Sequence, residues 1–196
     1  ICMSLSWMTT FNRWEIAYII QNQLKSNSGC GPDGVSPGLF KHLSPNWFFF
    51  LNEMLNRIFH SQYPFAFAQP KMFMSFMIFK KGARNQADNY RGISVMNSIA
   101  KIYDYILCNR LTKWFIPDRE QAGAQAGRSC LDHIITLRLL ISYAASKKKP
   151  LYIAFVDFSK AYDRIPRDKL IQSLRELGCG SRKLSAIASM YRVSFG

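Results

Sequence analysis

The chain has 196 residues, of which 48% are hydrophobic and 14% aromatic, a composition that supports a packed core and excludes an intrinsically disordered chain. Its 26 Lys and Arg residues outnumber 12 Asp and Glu residues, and the net charge of +14 favours a polyanionic partner. Nucleic acid is the expected partner; an anionic membrane surface, or no polyanion at all, are the alternatives. No apolar run approaches the roughly 20 residues of a membrane span, and the N-terminus lacks a secretory signal pattern, so the protein is expected to be neither membrane-spanning nor secreted.

Helical periodicity predicts two helices in the first third of the chain. The apolar face of the first comprises Trp14, Ala17, Tyr18 and Leu24. The apolar face of the second comprises Trp47, Phe50, Leu51, Met54, Leu55 and Ile58. Residues 26–37 (SNSGCGPDGVSP) lie between them and are turn-forming types, so a structural role is expected for Asp33.

Two short apolar stretches predict a β-hairpin in the middle of the chain. Residues 72–79 are bounded by Pro70 and Gly82, and residues 91–96 follow after a polar, basic connection. The two stretches are expected to pair, with residues 80–89 (KKGARNQADN) as a long tip.

The second half of the chain is predicted to contain three helices and one strand. One helical face comprises Ile99, Ile102, Tyr103, Ile106, Leu107, Leu111 and Trp114, and another comprises Leu131, Ile134, Ile135, Leu137, Leu140 and Ile141. After a turn at residues 117–128, residues 151–158 (LYIAFVDF) suit a buried central strand. The last helix, with Leu170, Ile171, Leu174 and Leu177, is expected to have Pro166 at its first position and to end at Gly178. The predicted class is α+β, with helices dominant.

Asp157 is the most informative residue for function, because it ends a strand that is otherwise apolar. A carboxylate there is costly to desolvate unless it is paired or binds a metal ion. Strand-end acids suit Mg²⁺, which takes one or two carboxylates together with substrate phosphates. The alternative is that Asp157 caps a turn and that Asp163 is a favourable acid near a helix start.

The segment at 154–170 (AFVDFSKAYDRIPRDKL) resembles motif A of the reverse transcriptases of non-LTR retrotransposons. Three other segments resemble motifs of the same family in the same order. Residues 31–43 are similar to its opening fingers motif, residues 78–111 to the following fingers motif and its helix, and residues 120–134 to the glutamine–glycine block before the palm. The resemblance covers roughly residues 10–190.

This resemblance implies a right-hand polymerase fold with fingers and an incomplete palm. Residues 1–149 are expected to form the fingers and the connection into the palm, and residues 150–196 the N-terminal part of a truncated palm. The implied activity is RNA-directed DNA polymerisation, with an RNA template, a DNA primer or target and a dNTP as partners, and a nuclear or cytoplasmic location. No membrane partner is implied, and the oligomeric state is left open.

The resemblance also implies the site residues in the palm. Asp157 matches the aspartate that coordinates both catalytic Mg²⁺ ions, and the backbone carbonyl of Phe158 matches a position that completes one metal's coordination. Tyr162 matches the bulky steric gate that excludes a ribose 2′-OH and so favours dNTPs.

In the fingers, Arg91 matches the arginine that grips the incoming triphosphate. Lys80 and Lys81 match the basic residues that reach its β and γ phosphates. Gly123, Gly127 and Arg128 resemble the block that lies along the template and primer strands, although an ordinary connector is an alternative for them.

The sequence departs from the family pattern at several positions, including Gly92 and Met77, where the family usually has proline. The family usually has Phe–Arg where this chain has Ala124–Gln125, which puts one template contact in doubt. No Asp–Asp pair occurs in the 196 residues, although the family's second palm motif supplies its other metal-binding carboxylates from such a pair. We therefore expect the chain to be an inactive fragment, with residues after about 150 loosely packed. The alternative functions are a non-catalytic, basic RNA-binding remnant of a retroelement and an unrelated basic domain.

Overall fold

The computed structural model describes residues 10–61, 74–159 and 161–192. Its helices are α1 (Arg13–Tyr18), α2 (Pro45–Phe59), α3 (Ser98–Trp114), α4 (Cys130–Ser146), α5 (Arg167–Glu176) and α6 (Ser181–Arg192). Two antiparallel strands, β1 (Met74–Phe79) and β2 (Tyr90–Val95), form a hairpin. Shorter elements are a π-helical turn at Ile19–Gln23 and 3₁₀ turns at Pro37–His42, Ala87–Asn89 and Ala161–Arg164. These residues are α+β with helices dominant, as predicted.

None of the described helices has both the length and the apolar character required to cross a bilayer.

The chain divides into two compact units. The first comprises the residues up to Thr112 together with those from Pro166 onward, and the second comprises Lys113–Ile165. The predicted boundary between fingers and palm, at residues 149 and 150, therefore falls inside the second unit. The apolar core of the first unit is formed mainly by α1, the π turn, α2 and α3, with Ala186 contributed by α6.

The first predicted helix is present, but its predicted buried face is wrong for Trp14 and Tyr18, although Leu24 is buried as predicted. Trp14 is 69% exposed and Tyr18 59% exposed, whereas Ile16, Ile19 and Ile20 are fully buried. The isoleucines have the same helical spacing as the aromatic residues, so periodicity alone did not decide between the two faces. The face that packs in the core is the one with the branched aliphatic residues.

Helix α2 contains all the residues of the predicted apolar face, but its buried face is narrower than expected. Leu51, Leu55 and Ile58 are buried, whereas Trp47 and Phe50 are each 55% exposed and contact one another edge to face. The helix starts with Pro45 at its first position, where the missing N–H costs no hydrogen bond.

Two sets of polar contacts attach α1 and the segment before it to the rest of the core. Buried Asn56 accepts a hydrogen bond from the backbone N–H of Phe11 through Oδ1, and its Nδ2 donates to the Phe11 carbonyl at 3.0 Å. Arg110 of α3 donates from Nε and Nη2 to the two carboxylate oxygens of Glu15, at 3.1 and 2.9 Å. Such bidentate arginine–carboxylate pairs fix the relative orientation of the two side chains and also stabilise the contact.

The turn at residues 31–35 packs against the start of α3. Asp33 accepts a hydrogen bond from the Val35 N–H at 3.1 Å, an Asx turn that agrees with its predicted structural role. A Cβ atom on Gly31 would lie 2.6 Å from the backbone nitrogen of Asn97, so only glycine fits there. The Ser98 hydroxyl donates to the Val35 carbonyl at 2.9 Å.

The last two helices belong to the first unit. Helix α5 ends in a Schellman motif: the Gly178 N–H donates to Arg175 and the Cys179 N–H to Leu174, and Gly178 has φ of +83°. The predicted stop is therefore confirmed, although Pro166 is the N-cap and not the first helical residue.

Helix α6 was not predicted, although Leu184, Ile187 and Tyr191 stand at helical spacing within it. Leu184, Ala186 and Ile187 are buried, and Lys183 is also buried, which lowers the pKa of its ammonium group. The expectation of loose packing for all residues after about 150 is therefore wrong for α6.

The second unit contains α4 and the segment that was predicted to be a strand. Residues 151–158 are described without strand pairing, and Tyr152, Phe155 and Val156 are 90%, 84% and 78% exposed. The prediction of a buried central strand is wrong for this chain: a strand requires a hydrogen-bonded neighbour, and the only ladder among the described residues joins β1 to β2.

Candidate active site

The hairpin presents Arg91 on one face together with apolar side chains. Arg91 lies opposite Ile78 in the ladder, and Ile93 lies opposite Phe76. Opposed residues of an antiparallel pair project to the same face, so these four side chains share it. Arg91 is exposed, and Phe76, Ile78 and Ile93 are 51%, 51% and 41% exposed. This face therefore offers one guanidinium beside an accessible apolar surface.

Lys80 continues the same face towards the tip. Its backbone N–H donates to the Asn89 carbonyl at 2.8 Å, which extends the ladder by one pair. Because side chains alternate along a strand, Lys80 lies on the face of Ile78 and Arg91. Lys80 and its neighbour Lys81 are both exposed.

The tip is braced by residues that the sequence analysis did not single out. Asn89 donates from Nδ2 to the Ala83 carbonyl at 2.8 Å, and the Tyr90 hydroxyl donates to the Arg84 carbonyl at 2.8 Å. Gly82 has φ of +95°, and a Cβ atom there would lie 2.7 Å from the Asn89 amide. These contacts hold the loop that carries the two lysines in place. In the sequence, Gly82 within the polar tip was the feature that could have indicated such a tightly packed turn.

Asp157, Phe158 and Tyr162 lie in an accessible segment of the second unit. Asp157 is exposed, and Phe158 and Tyr162 are 75% and 87% exposed. Within the described part of the chain, the Asp157 carboxylate makes no hydrogen bond or ion pair. The alternative that Asp157 caps a turn is therefore not supported by any side-chain contact among the described residues.

The donor chemistry of this segment suits a hard divalent cation, but the number of donors is insufficient. Asp157 supplies one carboxylate and Phe158 one backbone carbonyl, and oxygen donors of this kind are those that Mg²⁺ prefers. Among the described residues, no three His, Cys, Asp or Glu side chains cluster as metal ligands would. Further carboxylates would be needed to complete a two-metal site.

The predicted template-facing block is a turn before α4. Gly127 has φ of +75°, and nothing lies near the position of a Cβ atom on either Gly123 or Gly127, so their backbones are accessible. Arg128 is already engaged: its Nη2 donates to the Arg119 carbonyl at 3.1 Å, and its Nε lies 3.8 Å from Asp132. Ala124 adopts φ of +58°, a conformation that a residue with a Cβ atom rarely takes.

The predicted site residues are distributed over both units. Arg91, Lys80 and Lys81 belong to the first unit, and Asp157, Phe158, Tyr162 and the template-facing block belong to the second. That they line one common site stays a prediction.

Comparison with known proteins identifies related sequences. A family model described as reverse transcriptase (RNA-dependent DNA polymerase) matches residues 78–196, more than half of the chain. The chain is 29% identical over 153 residues to the probable RNA-directed DNA polymerase from transposon BS of Drosophila melanogaster, covering 75% of this chain and 17% of that protein. It is 27% identical over 165 residues to the probable RNA-directed DNA polymerase from transposon X-element of the same organism, covering 81% of this chain and 18% of that protein.

A third relative is the retrovirus-related Pol polyprotein from the type-1 retrotransposable element R2 of Bradysia coprophila, 25% identical over 188 residues. The match covers 91% of this chain and 20% of that protein, so the chain spans a fifth or less of the length of these relatives. The predicted resemblance to non-LTR retrotransposon reverse transcriptases is thus confirmed by the family model and by relatives from several elements. The chain belongs to the reverse transcriptase (RNA-dependent DNA polymerase) family.

Proposed function

We propose that this chain supplies the fingers, at residues 1–149, and the start of the palm, at residues 150–196, of a retrotransposon RNA-directed DNA polymerase. The complete enzyme would extend a DNA primer by one dNTP at a time on an RNA template. The observation that carries this proposal is the availability of the matched side chains. Among the described residues, Arg91, Lys80, Lys81 and Asp157 are exposed and make no side-chain hydrogen bond or ion pair.

The fingers residues would bind the triphosphate. Arg91 suits this role because its planar guanidinium donates two parallel hydrogen bonds to phosphate oxygens. Lys80 shares its face of the hairpin, and Lys81 follows in the braced tip. Cations held in place before the reaction lower the barrier by stabilising the negative charge of the transition state.

Asp157 and the Phe158 carbonyl would hold divalent cations, for which Mg²⁺ is our proposal. When bound, such cations would neutralise the negative charge that develops on the attacking 3′-oxygen and on the leaving pyrophosphate. Tyr162 would exclude nucleotides that carry a 2′-OH. The accessible backbones of Gly123 and Gly127 would approach phosphates of the template and primer, with Arg128 beside them.

The 196-residue chain alone is expected not to polymerise, because one carboxylate cannot hold two ions that each require near-octahedral coordination. Magnesium-dependent, template-directed dNTP incorporation by this chain, abolished by Asp157→Ala, would overturn that expectation.

The catalytic role is tested in a chimera in which residues 1–196 replace the matched segment of an active retrotransposon polymerase. Asp157→Ala is expected to abolish dNTP incorporation on an RNA template. Asp118→Ala, which removes another exposed carboxylate of the second unit, is the matched control and should retain activity. Equal activity of the two variants would refute the proposed role of Asp157.

A second candidate function is a basic, non-catalytic RNA-binding remnant, which the net charge of +14 favours. In that case the chimera would bind RNA but show no incorporation, and Asp157→Ala would change nothing.

A further inference from the structure

The hairpin tip contains a small packed cluster within an exposed segment. Among residues 76–94, every residue except Phe79, Asn89 and Tyr90 is exposed. Phe79 and Tyr90 lie opposite one another in the ladder, and their ring centroids are 5.4 Å apart at an interplanar angle of 60°. The Arg84 guanidinium lies 5.4 Å from the centroid of the Phe79 ring. Phe79, Arg84 and Tyr90 therefore form one set of contacts, named here the tip cluster.

The tip cluster lies on the face of the hairpin opposite the Arg91 side chain. Facing pairs alternate between the two faces of an antiparallel ladder, and the pair of Phe79 and Tyr90 directly follows that of Ile78 and Arg91. The Tyr90 ring therefore points away from a phosphate that Arg91 binds. Any effect of Tyr90 on the binding of such a ligand must be transmitted through the backbone of the tip.

The Tyr90 hydroxyl provides that connection. It donates to the Arg84 carbonyl at 2.8 Å, and the Asn89 side chain donates to the Ala83 carbonyl at 2.8 Å. Arg84 is thus held at its carbonyl by the hydroxyl and at its guanidinium by the Phe79 ring. These contacts close the loop that begins with the two lysines. An exposed connection of this length without them would lose more conformational entropy on binding a ligand.

We propose that Tyr90 is a positioning residue for the triphosphate of the incoming dNTP. Its hydrogen bond to Arg84 holds Lys80 and Lys81 in the arrangement that binds the phosphates, although Tyr90 itself does not contact them. This inference rests on the proposed function of the fingers cations. A preorganised pair of cations binds its anion more tightly than a mobile pair, because less entropy is lost on binding.

The first test measures the tip itself, without nucleotide. The backbone amides of Lys80, Gln86 and Asn89 donate hydrogen bonds within the tip, so their hydrogen exchange, measured by mass spectrometry, reports its opening. In the 196-residue chain, Tyr90→Phe retains the ring and removes the hydroxyl. It should speed this exchange by about threefold to tenfold, the effect of losing one hydrogen bond. Tyr18→Phe is the matched control and should leave the exchange unchanged, since Tyr18 is 59% exposed and its hydroxyl makes no hydrogen bond with the described residues.

The second test measures the consequence for dNTP use in the chimeric enzyme. Tyr90→Phe should raise KM for the dNTP by about threefold to tenfold. It should leave kcat nearly unchanged, because the weakened contacts are made in the ground state as well as in the transition state. A purely structural role for Tyr90 would instead reduce the amount of folded enzyme, which lowers kcat per total protein and leaves KM unchanged. Tyr18→Phe should change neither constant.

A third test determines whether Tyr90 acts through the lysines. In the chimeric enzyme that carries both Lys80→Gln and Lys81→Gln, KM for the dNTP should already be raised. Adding Tyr90→Phe should then raise it little further, because the effects of residues that act on one another are not additive. Additive effects would overturn the proposal, and so would an unchanged KM or unchanged hydrogen exchange in Tyr90→Phe alone.

These outcomes separate the positioning role from the function on which it rests. If the double lysine variant leaves KM unchanged, the proposed role of the fingers cations fails, and the positioning role fails with it. If the double lysine variant raises KM but Tyr90→Phe does not, only the positioning role fails. The Asp157→Ala test of catalysis is independent of both results.

Discussion

At the scale of single residues, the charged side chains of the described residues fall into two groups. Arg110 donates to the Glu15 carboxylate and Arg128 to the Arg119 carbonyl, each within its own unit, so both have structural roles. Arg91, Lys80 and Asp157 are exposed and make no such side-chain contact. The roles of Arg91, Lys80 and Asp157 come from the family resemblance and stay predictions. The engagement of Arg128 could not be predicted from the sequence, because its partner is a backbone carbonyl supplied by a turn.

Tyr162→Val in the chimeric enzyme should increase the use of rNTPs relative to dNTPs by about tenfold, because a smaller side chain makes room for the 2′-OH. Tyr152→Val is the control, since Tyr152 is a tyrosine of the same segment and is 90% exposed. The measurement is kcat/KM for a dNTP and for the matching rNTP. An unchanged ratio in Tyr162→Val would remove the steric-gate role.

Asp104→Asn should stabilise the chain at about pH 7 and have little effect below the ordinary pKa of 3.8. Burial raises the pKa of Asp104 in the folded state above its ordinary value of 3.8. At pH values between the unfolded and the folded pKa, the folded chain therefore binds more protons than the unfolded chain, and the free energy of unfolding falls as the pH rises. The asparagine variant has no carboxyl group at this position and so does not show this fall. Urea unfolding at several pH values measures this, with Asp118→Asn as the control. An identical pH dependence in the Asp104 variant and the parent chain would contradict it.

At the scale of elements, periodicity predicted helices and the hairpin well but predicted their buried faces less well. The hairpin tip at residues 80–89 lies where the polar connection indicated, because strands end where apolar alternation ends. The buried face of α1 was mistaken because two faces of similar spacing competed, and the core decided between them. The pairing of residues 151–158 could not be predicted, because a ladder depends on a partner strand and not on the segment itself.

Asn56→Ala should lower the free energy of unfolding by about 1–3 kcal/mol, since it leaves the Phe11 N–H and C=O buried without their partner. Asn46→Ala, at an exposed position of the same helix, should change stability little. Chemical denaturation of both variants measures the difference. Equal losses would show that the Asn56 contacts do not hold the segment before α1 in place.

At the scale of the whole molecule, the two units differ in how much apolar surface they bury. The first has a continuous core, whereas Ala122 is the only buried hydrophobic residue described in the second. Helix α4 has no buried residue, and its Leu131 and Leu139 are 64% and 66% exposed. A unit with few buried contacts opens at low free-energy cost.

Limited trypsin digestion should therefore cut the second unit first, at Lys147–Lys149 and near Arg138. The fragment carrying α5 and α6 should remain associated after cleavage, because Ala186 of α6 lies in the core of the first unit. Mass spectrometry of early fragments and size-exclusion chromatography of the nicked chain measure both effects. Cleavage at equal rates in both units would contradict the prediction.

The central proposal is that, in the complete enzyme, the fingers cations and the Asp157 segment both act on one dNTP. It is tested most directly by a photoreactive dNTP analogue bound to the chimeric enzyme with primer and RNA template. The account predicts crosslinks both to a peptide from residues 80–91 and to a peptide from residues 157–162, lost together when unlabelled dNTP competes. Labelling of one of these segments alone, or of neither, would contradict it.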